Sequence, residues 1–426
     1  MSNTPIVQNA LNKIAKGAIL VFIGIFISKL FNYIFRILIA RTGPDSYGLF
    51  SIGFAILSIV SAFALIGLDQ GVLRYVSYFK SKKDFPRLKG IITFSYKIAL
   101  PLSIIISLIL FFLSDWIATV IFHDPRLSLV IKIFTIMGPF LAILKINTSL
   151  FKAFQQVKYE VISLNITESI LKVILVVVFF NISATVSNAI WANAIATFIA
   201  SVVSFYFLEY KVFPIFRSKI KSVPFRKELL LYSFPLMLTF IIGAIILWTD
   251  TLMIGSIINS SASGLYNAAA PTATLVHFLP LTLLAIFLPI VTDFFARKKI
   301  KELRRTYYMI TKWILLFDLP LLLLLILFSK QILTLFFGIE YTVASTSLII
   351  LAIGHFLYIL LYPAYNILNV FKKSNFILIS SLISVCFNII LNLILIRQYG
   401  INGGAIATSI SLILFSALLF LTTYFS

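Results

Sequence analysis

The residues of this sequence best able to do chemistry are charges set at helical spacing inside apolar stretches. Lys29, Asn32 and Arg36 follow one another at steps of three and four, which stacks them on one helical face. Asn165, Glu168 and Lys172 repeat that spacing in a second stretch, and Lys145 with Asn147 sits about two-thirds of the way through a third. A Lys or Arg at bilayer depth costs roughly 2.5–3.5 kcal/mol, so each needs a partner or a wet cavity. Two bland readings stay open. Glu168 and Lys172 can form an i,i+4 salt bridge that merely makes their helix insertable, and Lys29 and Arg36 can snorkel to opposite interfaces. Against both, Lys29, Arg36, Lys145 and Lys172 outnumber Glu168 by three. Facing lipid unpaired, that surplus would cost on the order of 10 kcal/mol, comparable to a protein's whole stability. A hydrated cavity relieves the cost, and an anionic ligand relieves it further; phosphate is the natural match for Lys and Arg. Lys97 and Lys132 lie nearer helix ends, where snorkelling suffices.

The second half carries different chemistry. The cations are gone at the equivalent positions, and Asp250 and Asp318 appear within apolar stretches, with His277 and His355. Asp250 and Asp318 are candidates for proton or sodium coupling, or for pairing with cations. Asn388 and Asn392, one turn apart, read as interhelical glue. Asp69 and Arg74, in the basic stretch after the second span, are candidates for coupling or gating. No metal is expected, because none of the three His residues shares a helical face with a second ligand at i,i+4. No nucleophile elbow, P-loop or dinucleotide fingerprint is present. An integral-membrane glycosyl- or prenyltransferase would need paired carboxylates, and the nearest such pair is Asp115 with Asp124; the expectation is therefore a carrier and not an enzyme. Cys386 stands alone in an apolar run and reads as a small buried hydrophobe.

The elements that must position these groups follow from composition. Of 426 residues, 61% are hydrophobic and 12% charged, and mean hydropathy is +1.06; a soluble domain averages about 25% charged. The solvent for most of this chain is lipid. With about 20 apolar residues needed per crossing, spans fall near 17–40, 47–69, 90–113, 128–151, 160–180, 187–208, 229–255, 264–292, 306–328, 344–370, 375–396 and 403–425. Net charge is +21, yet the cations lie mainly in alternate short loops, so membrane topology explains them and no nucleic-acid partner is implied. Lys13 and Lys16 with the loops at 74–89, 152–158, 211–227, 297–305 and 372–373 carry the excess; the other side keeps Arg41, Arg126, Lys330 and Arg397. This bias puts both termini in the cytoplasm. The amino-terminal apolar stretch runs on without a small-residue cleavage site and reads as the first span, not a cleavable signal.

An internal repeat organises the spans. Tyr47-Gly48-Leu49-Phe50-Ser51 aligns with Ser263-Gly264-Leu265-Tyr266-Asn267 at an offset of 216, and Phe154, Gln155, Gln156 and Tyr159 align with Phe371, Lys372, Lys373 and Phe376 at 217. The offset spans six helices, an even number, so the halves share one orientation and are related by a pseudo-twofold along the membrane normal. The expected architecture is all-α and integral to the membrane: about twelve helices in two six-helix lobes around a central cavity. An amino-terminal lobe at 1–210, a basic cytoplasmic linker at 211–227 and a carboxy-terminal lobe at 228–426 are expected.

On four stretches the chain resembles the polysaccharide flippases of the MOP exporter superfamily, the group that also holds MATE antiporters and lipid II flippases. They are Ala40-Arg41-Thr42-Gly43-Pro44-Asp45-Ser46-Tyr47-Gly48-Leu49-Phe50, Gly67-Leu68-Asp69-Gln70-Gly71-Val72-Leu73-Arg74-Tyr75, Asp250-Thr251-Leu252-Met253-Ile254-Gly255 and Gly400-Ile401-Asn402-Gly403-Gly404-Ala405. The resemblance runs end to end and implies a MATE-like fold that moves a lipid-diphosphate-linked glycan from the inner to the outer leaflet by alternating access. It implies cationic cavity residues for the head group, a role that Lys29, Arg36, Lys145 and Lys172 fit, with Asn32, Asn147, Asn165 and Glu168 as polar support. The partners expected are the glycan lipid and membrane lipids, for a monomeric carrier of the plasma membrane working near glycosyltransferases. No cofactor is expected beyond coupling to Na+ or H+. The main rival is a MATE-type drug or cation antiporter, which would favour an acidic cavity.

Overall fold

The computed structural model describes residues 5–371 and 373–424, with side chains described from Leu20 onward apart from 278, 279, 281, 282, 285, 286, 374 and 424. Lys372 and the side chains of Lys13 and Lys16, part of the charge bias and repeat above, lie outside the described residues. Every regular element among the described residues is a helix, and the stretch at 213–226 is irregular. It is a multi-pass membrane protein: ten helices are long and apolar enough to cross a bilayer, and a bent pair makes eleven.

That pair is α5 (Arg126–Thr135) and α6 (Gly138–Ala153), which meet at 42°. Pro139 sits in the first turn of α6, where its missing N–H is harmless, and the chain before it turns. The stretch at 264–292 is filled by three elements in succession: α11 (Ser260–Ala273), a 3-10 turn (Thr274–His277) and α12 (Phe278–Ala296). Pro271 and Pro289 lie inside α11 and α12, and Pro363 opens α16 (Pro363–Val370) where α15 (Ser345–Leu361) ends.

By contact the chain falls into two compact units. The first comprises residues 1–42 and 52–248, and the second 43–51 and 249–426. In the first, α1 (Pro5–Ala40) packs on α8 (Ser169–Phe180), and α3 (Leu68–Ser81), α4 (Phe85–Trp116), α6 and α9 (Val186–Phe207) surround a shared core. That core holds Leu68, Val72, Val76, Phe79, Ile91, Ile146, Phe151 and Leu208. The basic stretch after the second span, read above as a loop, is therefore largely the amphipathic helix α3, whose apolar residues at 68, 72, 76 and 79 keep one face buried.

A glycine explains how α3 begins. Gly67 has φ +68°, and a Cβ there would stand 2.3 Å from the Ser233 carbonyl oxygen of α10 (Lys227–Ile257). Only glycine combines a left-handed turn with that approach. The chain from 211 to 227 is likewise bolted down. Glu209 accepts N–H bonds from Ile215 (2.7 Å), Phe216 (3.1 Å) and Arg217 (3.0 Å). Lys89 donates to the Ser218 carbonyl at 2.9 Å, and Val223 N–H donates to Pro86 O at 3.0 Å.

In the second unit α17 (Ser374–Tyr399) and α18 (Ile401–Tyr424) pair closely, α18 also packs on α15, and α13 (Ile300–Leu327) packs on α12 and α15. The start of α2 (Pro44–Leu65) belongs here. Gly48 and Gly264, which the repeat aligns, pack on one another: a Cβ on Gly48 would fall 1.7 Å from Ser260 O, and one on Gly264 1.9 Å from Pro44 O. Tyr47 closes the crossing by donating its hydroxyl to Asn267 O at 3.1 Å. The repeat motif is thus a close-packing device. Cys386, expected to be buried, is exposed on α17; an apolar run does not say which of its faces meets protein.

Candidate substrate and ion sites

In the first unit α1 and α8 are stitched by a polar seam. Ser28 and Ser169 hydroxyls lie 2.9 Å apart, and the Asn32 amide donates to Ser28 O (2.7 Å) and Ser169 Oγ (3.2 Å). The Asn32 Oδ1 accepts a hydrogen bond from Lys172 Nζ. The ammonium also lies 5.3 Å from the Phe35 ring centroid. Lys172 is only 6% exposed, and its partners are an amide oxygen and a ring face. The i,i+4 salt bridge with Glu168 does not form: neither Lys172 nor Glu168 is in an ion pair among the described residues.

The backbone accounts for part of that. Between α7 (Val157–Glu160) and α8, residues Val161–Glu168 form a π-helix. Its wider turn removes the stacking that α-helical spacing predicts for Asn165 and Glu168. Asn165 is buried against the α1 backbone at Gly24. Glu168 instead lines a cavity of about 260 Å³ together with Lys145 and, from α2, Phe54, Ser58 and Ser61. Lys145 carries no ion pair among the described residues. Asn147, two residues on, is fully buried and binds helices together: it donates to Ser204 Oγ at 2.8 Å and accepts from the Tyr96 hydroxyl.

The other cations are placed apart. Lys29 is exposed, with no hydrogen bond or ion pair among the described residues, while Arg36 is half-buried on α1. Asp69 accepts from Gln70 at 3.2 Å on the first turn of α3. Arg74, on the same helix, stacks on Tyr232 at 4.2 Å. Asp115 and Asp124 are each matched by a cation, Lys132 at 2.9 Å and Arg126 at 2.8 Å, which is a poor arrangement for a catalytic carboxylate pair.

The second unit gathers a carboxylate site. Asp250 is 8% exposed and accepts from three donors: the Tyr266 hydroxyl, the Thr408 hydroxyl and the Asn392 amide, the last at 2.7 Å. Asn392 also donates to Asn388 Oδ1 (3.1 Å), and Asn388 donates to Thr408 Oγ1 (3.1 Å). The Asn392 Oδ1 itself is buried without a partner among the described residues. Asn388 and Asn392 thus bond between helices, as expected, from α17 to Thr408 of α18 and to Asp250 of α10. Tyr266 was marked only as part of the repeat, and Thr408 carried no signal at all. Asp318 is the opposite case: fully buried on α13, with neither carboxyl oxygen partnered among the described residues. His277 and His355 pack edge to face, centroids 4.7 Å apart. No group of three or more His, Cys, Asp or Glu gathers among the described residues.

Comparison with known proteins bears on the family and the fold. The family model described as polysaccharide biosynthesis protein matches residues 14–295, and the MatE model matches 235–394. An uncharacterized membrane protein of Methanocaldococcus jannaschii is 26% identical over 93% of this chain and 81% of its own length. A Shigella flexneri protein named for O-antigen transport is 22% identical over 88% and 89%. A Haloferax volcanii protein named as a low-salt glycan biosynthesis flippase is 27% identical over 38% of this chain and 35% of its own. Among solved structures, an inward-facing MATE-family multidrug resistance transporter of the MOP superfamily superposes with a TM-score of 0.76 at 15% identity, over 96% of this chain and 97% of that one. The lipid II flippase MurJ, in an inward closed conformation, gives 0.75 at 17%, over 95% and 87%. With two-thirds of its length matched by one family model, the chain belongs to the polysaccharide biosynthesis protein family, and it shares its fold with these transporters.

Proposed function

We propose that this protein is a flippase that carries a lipid-diphosphate-linked oligosaccharide from the cytoplasmic to the outer leaflet of the plasma membrane by alternating access. Both termini lie in the cytoplasm on this reading, as the Lys and Arg of the loops direct. The family match and the glycan-related names of the relatives support a carrier of polysaccharide-related substrates.

One observation carries the finer reading: a lysine is buried in the first unit against an amide oxygen and an aromatic ring, with no carboxylate in ion-pair range. An ammonium bonded to a single amide oxygen has donors to spare for a ligand, and a phosphate can displace the Asn32 oxygen with a stronger, charge-assisted bond. Lys145, lining its cavity beside Ser58 and Ser61, supplies a second donor. Arg36 and Lys29 complete the cationic set proposed for α1, and Asp69 with Arg74 is proposed to gate.

Coupling is proposed at Asp250. Its carboxylate and the unpartnered Asn392 Oδ1 are hard oxygen ligands that suit a sodium ion or a proton. A second reading, an ion-coupled drug antiporter, draws on this same site and on the MatE match over 235–394.

Reconstitution separates the two. Proteoliposomes holding the full chain should move a fluorescent lipid-diphosphate oligosaccharide between leaflets and leave a fluorescent organic cation in place. Uptake of the cation under a sodium or proton gradient, with no movement of the lipid, would replace the flippase reading with the antiporter.

A further inference from the structure

The end of the first unit where α3 turns into α4 carries a pocket of which the transport reading uses only Arg74. Arg74, Lys82 and Arg87 line a space of about 690 Å³ with Tyr75, Phe225 and Glu228 among its walls. All three cations are exposed. Arg74 and Lys82 have no acid in ion-pair range among the described residues, and Arg87 meets only the partly exposed Asp84, at 3.5 Å. Each cation lies against a ring instead. The Arg74 guanidinium is 4.2 Å from the Tyr232 centroid, Lys82 Nζ 4.5 Å from that of Tyr78, and the Arg87 guanidinium 5.7 Å from that of Phe79.

Stacking holds a guanidinium by its face and leaves its in-plane N–H fork free for an anion. The walls are held in place. Phe225 meets Tyr75 and Phe79 edge to face at 4.9 and 5.0 Å, and its segment is pinned by the Val223–Pro86 and Lys89–Ser218 bonds. Three cations therefore face two acids, Glu228 in the wall and Asp84 beside Arg87, over an aromatic floor in a preformed frame.

We infer that this pocket binds the phosphate headgroup of a membrane lipid. The cations suit the phosphate. The rim suits the rest of the lipid: Tyr78, which lines the pocket, is 47% exposed, and the mix of aromatic and basic residues is the one that lies at a bilayer interface. A lipid satisfies both the rim and the pocket, whereas a free anion leaves the rim in water. The inference does not depend on what the carrier moves; only the leaflet, the inner one, follows from the orientation proposed above.

Native mass spectrometry of the full chain released from nanodiscs tests it, with phosphatidylglycerol against phosphatidylcholine as probes. The wild type should retain one phosphatidylglycerol about tenfold more tightly than phosphatidylcholine. The R74Q/K82Q/R87Q variant should lose that preference, while K298Q/K299Q/K301Q, equal in charge removed, keeps it, and Glu228→Gln raises it. Should the triple variant fail to fold, Arg74→Lys keeps the charge but not the fork and should lower the preference about threefold. Retention unchanged in the folded pocket variant, equal loss in the 298–301 control, or inorganic phosphate binding as tightly as the lipid would each overturn the inference.

Discussion

Lys172 in the first unit and Asp250 in the second are equally hidden, at 6% and 8% exposure, yet they are housed in opposite ways. The carboxylate is met by three donors from three helices. The ammonium is met by one amide oxygen and a ring. Burial alone therefore does not tell how much of a charge is left for a ligand; the number of bonds around it does. A carboxylate is acceptor-only, and three donors nearly fill it, so the Asp250 cluster is well satisfied and keeps one open oxygen, on Asn392, for the ion proposed above. An ammonium has three donors, and Lys172 uses one. Asp318, with none of its oxygens bonded among the described residues, marks the far end of that scale.

Removing the best-satisfied group should do the most damage. Asp250→Ala orphans the Tyr266, Thr408 and Asn392 donors and should cost about 3 kcal/mol of stability, seen as an early unfolding transition in detergent. Asp250→Asn, which keeps an acceptor, should cost less. Equal stability of Asp250→Ala and wild type would break the contrast drawn above. Asn32→Leu should come next, at about 2 kcal/mol, since it strips Lys172 of its oxygen and opens the seam to Ser28 and Ser169; Lys172→Met in the same background should restore most of the loss, because the orphaned charge is gone. Absence of that rescue would mean the ammonium finds another partner. Asp318→Leu should leave stability unchanged or raise it by about 1 kcal/mol, since a buried acid without partners contributes nothing that a packed leucine lacks. A large destabilisation there would reveal a bond to Asp318. Lys29→Gln, on an exposed site, should shift stability by less than about 0.5 kcal/mol.

Much of this was legible beforehand, and for a simple reason. A bilayer demands about 20 apolar residues per crossing, and composition alone reveals them. The Gly48–Gly264 crossing was visible as a repeat because close packing tolerates only glycine on both sides. Helix α3 was missed: an amphipathic helix with Arg74 exposed and Lys82 at its C-cap reads like a basic loop to a hydropathy window. The π-helix at Val161–Glu168 was missed because one extra residue per turn leaves no mark in composition, and it re-aimed Glu168 into the cavity beside Lys145. Thr408 lies 158 residues from Asp250, and a neutral hydroxyl at that distance announces nothing. The charges themselves were legible; how many bonds each one receives was not.

The central claim is that uncompensated cations in the first unit carry the phosphates of the substrate. Leaflet exchange of a labelled lipid-diphosphate oligosaccharide by the K145Q/K172Q protein tests it most directly, with unfolding temperature measured on the same sample. The account predicts exchange at least about tenfold slower than wild type in a protein that remains folded. Exchange at the wild-type rate in a folded variant would contradict it.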